Sequence, residues 1–326
     1  MSTPPPVMPV IPAVPGQATA PDDWSAAPER SNALALQVMS WIALQGGRRA
    51  ARLVLHPITL YFLLTAPAMR RHARHYLQRA LGRPASWRDL YRQCHSFAAT
   101  VLDRVYLLRG RFDQFDITVQ GGEALSALYA QGEGAFLVGA HMGSFEALRA
   151  AGEQHGSPPI AMVMYPDNAR KINQALAAIA PGSQPRIIAL GRMESMLAIR
   201  DWLDAGGLAG MLADRTLPAD SPRHGSGSLK MPFLGAEAVF NEGPFRLAAL
   251  LRRKVFFMVG LYLGGRRYEV RFLPLADFSP RCADAAQREA RIHEAVQCYA
   301  DLLAALCREA PYNWFNFHDF WGDDAA

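Results

Sequence analysis

Residues 135–151 read Ala-Phe-Leu-Val-Gly-Ala-His-Met-Gly-Ser-Phe-Glu-Ala-Leu-Arg-Ala-Ala, an apolar run followed by a turn of small residues and then a helical pattern. A continuous apolar run of this length is typical of a strand covered on both faces of its sheet. Ser144 stands where the helix would begin, so it is a candidate helix N-cap. His141 is therefore predicted at the carboxyl end of a strand, the edge at which open α/β sheets bind their ligands.

The chain on both sides of this segment alternates short apolar stretches with helical patterns. Further strands are predicted at residues 115–119, 160–164, 187–190, 208–212, 255–259 and 268–272. Helices are predicted at residues 86–109, 122–129, 168–179, 193–204, 243–252 and 284–309. This alternation predicts an α/β domain over residues 111–326, with a central sheet flanked by helices.

His141 and Glu146 form a candidate acid–base pair at this strand end. On one regular helix their side chains would lie about 140° apart, so they can meet only if His141 lies on the turn before the helix. Histidine titrates near neutral pH and can remove a hydroxyl proton, and a nearby carboxylate such as Glu146 can hold its tautomer. The small Gly143 would let a substrate approach the backbone, and Ser144 with the helix-start amides would stabilise negative charge.

A hydrogen-bonded structural role for His141 is the alternative to catalysis. The same spacing of a histidine and an acid recurs at His318 and Asp323. Only His141 has the strand–turn–helix context, so we interpret His318 as part of a structural segment. The aromatic residues 312–321 are likewise interpreted as sealing the core rather than binding lipid.

The N-terminal third of the chain has a different character. Residues 1–30 carry eight prolines without helical periodicity, which predicts a disordered tail. Residues 31–110 are predicted to be a basic, apolar helical segment that faces a membrane. Ten arginines and a single acid, Asp89, lie between residues 41 and 95, although the whole chain carries a net charge of only +5.

An apolar run within that segment suggests how it would meet a membrane. Residues 53–69 form a 17-residue run that contains His56 and two prolines and has arginines on both sides. A spanning helix needs about 20 apolar residues. A hairpin lying in the interface, with arginines on lipid head groups, fits the pattern better. A buried helix pair with solvated arginines is the alternative, and nucleic-acid binding is disfavoured because no recognition module is visible.

The four cysteines are too far apart to suggest a zinc site or a disulfide framework; they are Cys94, Cys282, Cys298 and Cys307. A reduced, cytoplasmic setting is therefore expected, and no metal or other cofactor is predicted.

Five blocks of the sequence resemble the bacterial lipid A late acyltransferases, and the resemblance extends over residues 35–321. The His-x4-Glu segment at residues 141–146 resembles the motif of glycerolipid acyltransferases. The others are a Tyr-x-Pro-x-x-Asn-like block at 164–173, an apolar strand ending in Asp-Arg at 210–215, a Phe-Leu-Gly…Gly-Pro block at 232–248 and a Pro-x-x-Trp-x-x-x-His ending at 311–318.

The resemblance implies a glycerolipid-acyltransferase-type α/β fold, with a central mixed sheet and an N-terminal membrane-facing helical segment. It implies three catalytic residues: His141, Glu146 and Arg170. Arg170 would act on the donor or the developing oxyanion, and a solvated helix arginine is the alternative. The implied substrate-binding residues are Gly143, Ser144, Tyr165, Asn168, Asp214, Arg215 and Gly243.

Two departures from the family pattern leave the acceptor open. Arg215 replaces the usual Gln, and Asn241-Glu242 stand where Pro-Thr is common. Together with the Asn-Trp-Phe-Asn-Phe ending, they are similar to a divergent branch linked to aryl-polyene and related pigment lipids as well as to lipid A.

We therefore expect an acyltransferase that moves an acyl group from an acyl-carrier-protein thioester, or from acyl-CoA, to a hydroxyl of a lipid or glycolipid. It would act as a peripheral or monotopic protein on the cytoplasmic face of the bacterial inner membrane. No activated Ser or Cys nucleophile is evident, so direct transfer without an acyl-enzyme is expected. The alternative is a non-catalytic membrane-surface protein that binds lipid, which would not need the His141–Glu146 pair.

Overall fold

The computed structural model describes residues 46–155, 158–166, 168, 186–215 and 227–322. The predicted tail at residues 1–30 and the predicted helix after residue 168 lie outside these ranges. All four cysteines are free thiols, as the sequence predicts.

Eight α-helices and nine strands are described. The helices are α1 (Gly47–Thr65), α2 (Pro67–Leu81), α3 (Trp87–Leu108), α4 (Gly122–Ala130), α5 (Phe145–His155), α6 (Met193–Asp204), α7 (Gly243–Leu251) and α8 (Ala285–Glu309). The strands are β1 (Asp116–Gln120), β2 (Ala135–Gly139), β3 (Ile160–Met164), β4 (Ile187–Ala189), β5 (Leu208–Leu212), β6 (Ser228–Phe233), β7 (Ala236–Asn241), β8 (Lys254–Tyr262) and β9 (Arg267–Asp277).

Seven of these strands form one mixed sheet in the order β1-β9-β8-β2-β5-β3-β4. The strands β8 and β9 form an antiparallel hairpin, and every other neighbouring pair is parallel. The predicted mixed α/β sheet is thereby confirmed. Strand β2 lies in the middle and is buried along its whole length, because helices cover both faces of the sheet.

The long helix α8 covers one face of the sheet through a regular apolar stripe. Five positions predicted to share a face of this helix are all buried: Ile292, Val296, Tyr299, Leu303 and Leu306. The hydroxyl of Tyr299 also donates to the carbonyl of Gly139, 2.9 Å away, at the end of β2. Helix α8 therefore supports the strand end that carries His141.

The small β6–β7 hairpin was not predicted from the sequence. Its strands are joined by Leu234 and Gly235, which both have positive φ angles of 49° and 85°. A two-residue loop with two positive φ angles matches the right-handed twist of a hairpin. Leucine at the first of these positions is unusual, so the pattern gives no turn signal.

Three helices, α1 to α3, form the described part of the basic N-terminal segment. Helix α1 packs against α3, and Pro67 begins α2 after a bend of 97°. No single helix among the described residues is long and apolar enough to cross a membrane, whereas α1 and α2 taken together have the required length and composition. The membrane-facing orientation of the segment stays a prediction.

Two of the arginines expected on lipid head groups instead bind within the protein. Arg48 donates to both carboxylate oxygens of the buried Asp103 at 2.8 Å, and the hydroxyl of Tyr268 donates to the same carboxylate. Arg52 donates to the hydroxyl of Tyr262 and to the carbonyl of Gly265. These contacts fasten α1 to α3 and to the β8–β9 hairpin, and they leave the side chains of Arg48 and Arg52 only 14 % and 22 % exposed.

Candidate active site

The centre of the site is set by two neighbouring parallel strands, β2 and β5. Their final residues, Gly139 and Leu212, are register partners. His141 follows β2 by two residues, and Asp214 follows β5 by two residues. Because parallel strands end at the same edge of a sheet, the two side chains are brought together there.

His141 and Asp214 form a close hydrogen-bonded pair. The ring nitrogen Nδ1 of His141 lies 2.9 Å from Oδ1 of Asp214, and the backbone N–H of His141 donates to Oδ2 at 2.9 Å. The indole N–H of Trp314 donates to Oδ2 at 3.1 Å. A carboxylate on Nδ1 fixes the proton there, which leaves Nε2 unprotonated and able to accept a proton.

Asp214 is a buried carboxylate held in its ionised form. Burial would raise its pKa, but the charge of His141 and its hydrogen bonds, together with the charge of Arg215, bring the pKa below its usual range. The His141 side chain is 33 % exposed and Asp214 only 2 %. Solvent or a substrate therefore reaches the histidine, while the carboxylate acts from behind it.

The turn after β2 is fixed by backbone contacts on both sides. Gly143 has a φ of 67°, and a Cβ placed there would lie 1.9 Å from the carbonyl oxygen of Gly260. Its N–H donates to the carbonyl of Asn313 at 2.9 Å. The N–H of Ser144 donates to the carbonyl of Gly260 at 2.8 Å. Glycine is needed at residue 143 because strand β8 fills the space beside it, not because a substrate does.

The expectation that amides of this region stabilise a developing negative charge stays a prediction, and four of these amides have partners within the protein. The backbone N–H groups of residues 141, 142, 143 and 144 all donate to protein oxygens. The hydroxyl of Ser144 accepts from the N–H of Ala147 at 3.2 Å, which confirms the predicted N-cap. Ser144 is only 2 % exposed and caps α5, and its role in substrate binding stays a prediction.

Glu146 lies next to this turn but is bound elsewhere. Its Oε1 is 2.7 Å from Nε of Arg104 on α3, and its Oε2 is 3.3 Å from the hydroxyl of Ser144. Among the described contacts, the hydrogen bond expected from Glu146 to the His141 ring is taken by Asp214 instead. A catalytic role for Glu146 stays a prediction.

The remaining predicted substrate-binding residues lie around the same edge. Tyr165 is half-buried just after β3, and Asn168 is exposed. Arg215 is half-buried beside Asp214. Gly243 begins α7, and its N–H donates to the side chain of Asn241, at the end of β7. Arg170 lies outside the described residues.

β7 is tied to the backbone beside Asp214. The N–H of Asn241 donates to the carbonyl of Ala213 at 3.2 Å. The β6–β7 hairpin, missed in the sequence, therefore closes one side of the site.

The segment of residues 311–322 completes the site, an arrangement that no local sequence pattern indicates. The N–H of Phe315 donates to the carbonyl of His141 at 2.8 Å, and Trp314 is fully buried against Asp214. The side chain of Asn313 makes two hydrogen bonds to the backbone of Tyr262. This segment is predicted to seal the core. It does so, and it also holds in place the sheet edge that carries His141 and Asp214.

His318, interpreted from the sequence as part of a structural segment, lies near this edge. Burial lowers its pKa to about 4, and its electrostatic partners include Arg215, Asp214 and His141. Its neighbours in the sequence hold its backbone in place. The N–H of Phe315 donates to the carbonyl of His141, and the carbonyl of Phe317 lies 3.2 Å from Nδ1 of His72.

Comparison with known proteins assigns the chain to a family. The sequence matches the model of the bacterial lipid A biosynthesis acyltransferases over residues 34–322. No curated protein matches the chain. The family match extends from the N-terminal helices to the end of the segment that contacts His141, so it includes every element of the site. The chain belongs to the bacterial lipid A biosynthesis acyltransferase family.

Proposed function

We propose that this protein transfers an acyl group from a thioester to a hydroxyl of a membrane lipid, with His141 as the general base. Family membership implies an acyltransferase that acts on a lipid. The observation that carries the proposal is the 2.9 Å contact between Nδ1 of His141 and the buried carboxylate of Asp214. A protein that only bound lipid would have no need for a half-exposed imidazole oriented by an ionised carboxylate.

The reaction follows from the protonation state of the histidine. The acceptor hydroxyl gives its proton to Nε2 of His141 as its oxygen attacks the thioester carbon. Asp214 stabilises the imidazolium that forms, as the carboxylate does in serine-hydrolase triads. The tetrahedral intermediate then expels the thiolate, which takes the proton from His141. No acyl-enzyme is formed in this scheme.

The proposed donor is an acyl-carrier-protein thioester, with acyl-CoA as the second choice. An acyl carrier protein is acidic, and the basic N-terminal segment offers complementary charge. The proposed acceptor is a lipid or glycolipid with a free hydroxyl, either lipid A-like or of the pigment-lipid type. These two choices rest on the resemblance and on charge, and both are open to direct assay.

An exposed apolar face on α1 supports attachment to a membrane surface. Leu53, Leu60, Tyr61 and Leu64 are between 52 % and 72 % exposed. Spacings of three, four and seven residues place these side chains on one side of a helix. A helix with an apolar outer face and basic flanks binds in the interface of an anionic bilayer.

Basic residues lie beside this apolar face. Arg70 and Arg74 lie 5.8 and 5.9 Å from the ring centre of Trp87, which is itself exposed. Arg49 and Arg88 are exposed as well. We place the protein on the cytoplasmic face of the inner membrane, where the anionic head groups would meet these arginines.

The activity is tested by thiol release from acyl-carrier-protein thioesters in the presence of candidate lipid acceptors. His141→Ala should lower the rate by a factor on the order of 10³ or more, since both the base and its pairing are lost. His293→Ala is the matched control, because His293 is exposed on α8 away from the sheet edge. Equal rates for wild type and His141→Ala would refute the proposed mechanism.

Membrane attachment is tested by flotation with vesicles that contain phosphatidylglycerol. The double variant Leu60→Glu/Leu64→Glu should lose most vesicle binding, because it places two charges on the apolar face. Leu250→Glu, at a residue 65 % exposed on α7, is the matched control and should bind as wild type does. Unchanged flotation of the double variant would contradict this docking face.

A further inference from the structure

The developing oxyanion needs a hydrogen-bond donor that the catalytic turn does not supply. In acyl transfer such donors lower the barrier by several kcal/mol because negative charge gathers on the carbonyl oxygen. The four backbone N–H groups from His141 to Ser144 already donate to protein oxygens. These four groups are therefore already used, which leaves donors from other segments at the same sheet edge. Arg170, which the resemblance implies for this role, lies outside the described residues.

The segment after α8 presents alternate side chains to two different surroundings. The rings of Phe315 and Phe317 both contact Phe97 on α3, at centroid distances of 5.3 and 5.4 Å. Trp314 points away from them and reaches Asp214. The ring of Phe320 contacts both Trp314 and His318, at centroid distances of 4.9 and 6.2 Å, which places His318 on the Trp314 side, towards the sheet edge.

The backbone of His318 is fixed in this position by its neighbours. Its N–H donates to the side-chain oxygen of Asn316 at 3.4 Å, and Asn316 is itself buried. The carbonyl of Phe317 contacts Nδ1 of His72 at 3.2 Å. The imidazole of His318 is only half-buried, so it remains accessible to a substrate carbonyl.

The charged groups around His318 keep its ring neutral at physiological pH. Burial is the largest influence and lowers the pKa to about 4. The charge of Arg215, after β5, acts in the same direction, and so do His72 on α2 and His141 after β2 whenever they are protonated, while Asp214 opposes them. A neutral imidazole carries one N–H donor, and it can stabilise an oxyanion without competing with His141 for the acceptor's proton.

We propose that His318 is a further catalytic residue, whose imidazole N–H donates to the thioester carbonyl oxygen as negative charge develops on it. This role rests on the proposed acyl transfer. The acceptor oxygen forms a bond to the carbonyl carbon, and its proton moves to Nε2 of His141. The carbonyl oxygen becomes an oxyanion that accepts from His318. When the carbonyl reforms, the C–S bond breaks and the thiolate takes the proton from His141, so His318 keeps its own proton throughout.

Three substitutions of His318 separate this role from packing. His318→Gln keeps an N–H donor, and His318→Phe keeps an aromatic ring, which would preserve the contact with Phe320 at 6.2 Å between centroids. His318→Ala keeps neither. The transfer rate is measured under saturating donor and acceptor, together with KM and the thermal unfolding of each variant.

We expect His318→Ala and His318→Phe to lose kcat by about 10²-fold with little change in KM, as for other oxyanion donors. His318→Gln should stay within about tenfold of wild type. Full activity of the Phe variant would show a packing role and overturn the proposal, and so would a Gln variant as slow as Ala. If the wild type transfers no acyl group to any acceptor, the proposed function itself fails and this role fails with it.

Discussion

Two segments meet at His141, and they differ in how they contribute to the site. The turn at residues 139–146 carries His141, the proposed base, in a compact local motif. The segment at residues 311–322 contacts it from a distant part of the chain, through Asn313, Trp314 and Phe315. Nearly every polar group of the turn is used to hold the turn itself. Of the distant partners, Asp214 contacts the imidazole, and the 311–322 segment contacts the backbone of the turn and Asp214.

This difference shows that a short motif locates the histidine of the site better than it identifies the partner of that histidine. The acid within the motif, Glu146, pairs with Arg104 and fastens α5 to α3. The acid on the ring, Asp214, is brought there by strand order. Substituting each acid in turn tests whether Glu146 or Asp214 supports catalysis.

Asp214→Asn and Glu146→Gln compare the two acids directly. The first should lower kcat by a factor on the order of 10² to 10⁴, because an amide favours the wrong tautomer and leaves the imidazolium without a counter-charge. The second should cost about tenfold or less, since Glu146 contacts α3. Thiol-release kinetics measure both, and thermal unfolding checks that Asp214→Asn still folds. A larger loss for Glu146→Gln would restore the motif's own acid as the partner.

Gly143→Ala tests whether the turn depends on close contact with β8. The backbone at positive φ costs about 1–2 kcal/mol with alanine, and the Cβ would lie 1.9 Å from the carbonyl oxygen of Gly260. We expect a total loss of at least about 3 kcal/mol in the free energy of unfolding. Gly132→Ala is the control, since Gly132 has a φ of 71° but no atom within 4 Å of its Cβ position. Equal losses would mean that φ alone matters at residue 143.

The pH dependence of stability tests the environment of His318. Its pKa is about 4 in the folded protein and about 6.5 in an unfolded chain. Between these values the unfolded state binds the extra proton, so stability falls as the pH drops from 7 towards 4. The loss at pH 5 should be on the order of 1–2 kcal/mol. His318→Gln lacks this titration, and its unfolding temperature should fall less steeply than that of wild type; parallel curves would contradict the buried environment.

Most of the fold follows from patterns that are local in sequence. The all-apolar run of β2 predicts a central strand, and the stripe of α8 predicts which face is buried; both are confirmed. The spacing and composition of residues close in sequence are enough to predict that β2 and one face of α8 are buried. The hairpin at Leu234 escaped prediction because its turn residues are atypical.

The partner of His141 could not be predicted because it depends on strand order. Strands β3 and β4 come between β2 and β5 in the chain, yet β5 lies directly beside β2 in the sheet. No sequence period reports which strand becomes a neighbour. Asp214 was therefore placed among the substrate-binding residues, although its position after an apolar strand was visible. The ion pair between Arg48 and the buried Asp103 could not be predicted either, because the two residues are 55 positions apart in the chain.

The dependence of His141 on the 311–322 segment has a consequence for the timing of synthesis. Trp314 is translated about 170 residues after His141, which at roughly 5–20 residues per second is a delay of about 10–35 s. During that interval the carbonyl of His141 and the amide of Gly143 have not yet met their partners on the segment. The nascent chain can build most of its sheet in this time. The sheet edge that carries His141 and Asp214 is assembled only after helix α8 and the residues that follow it have left the ribosome.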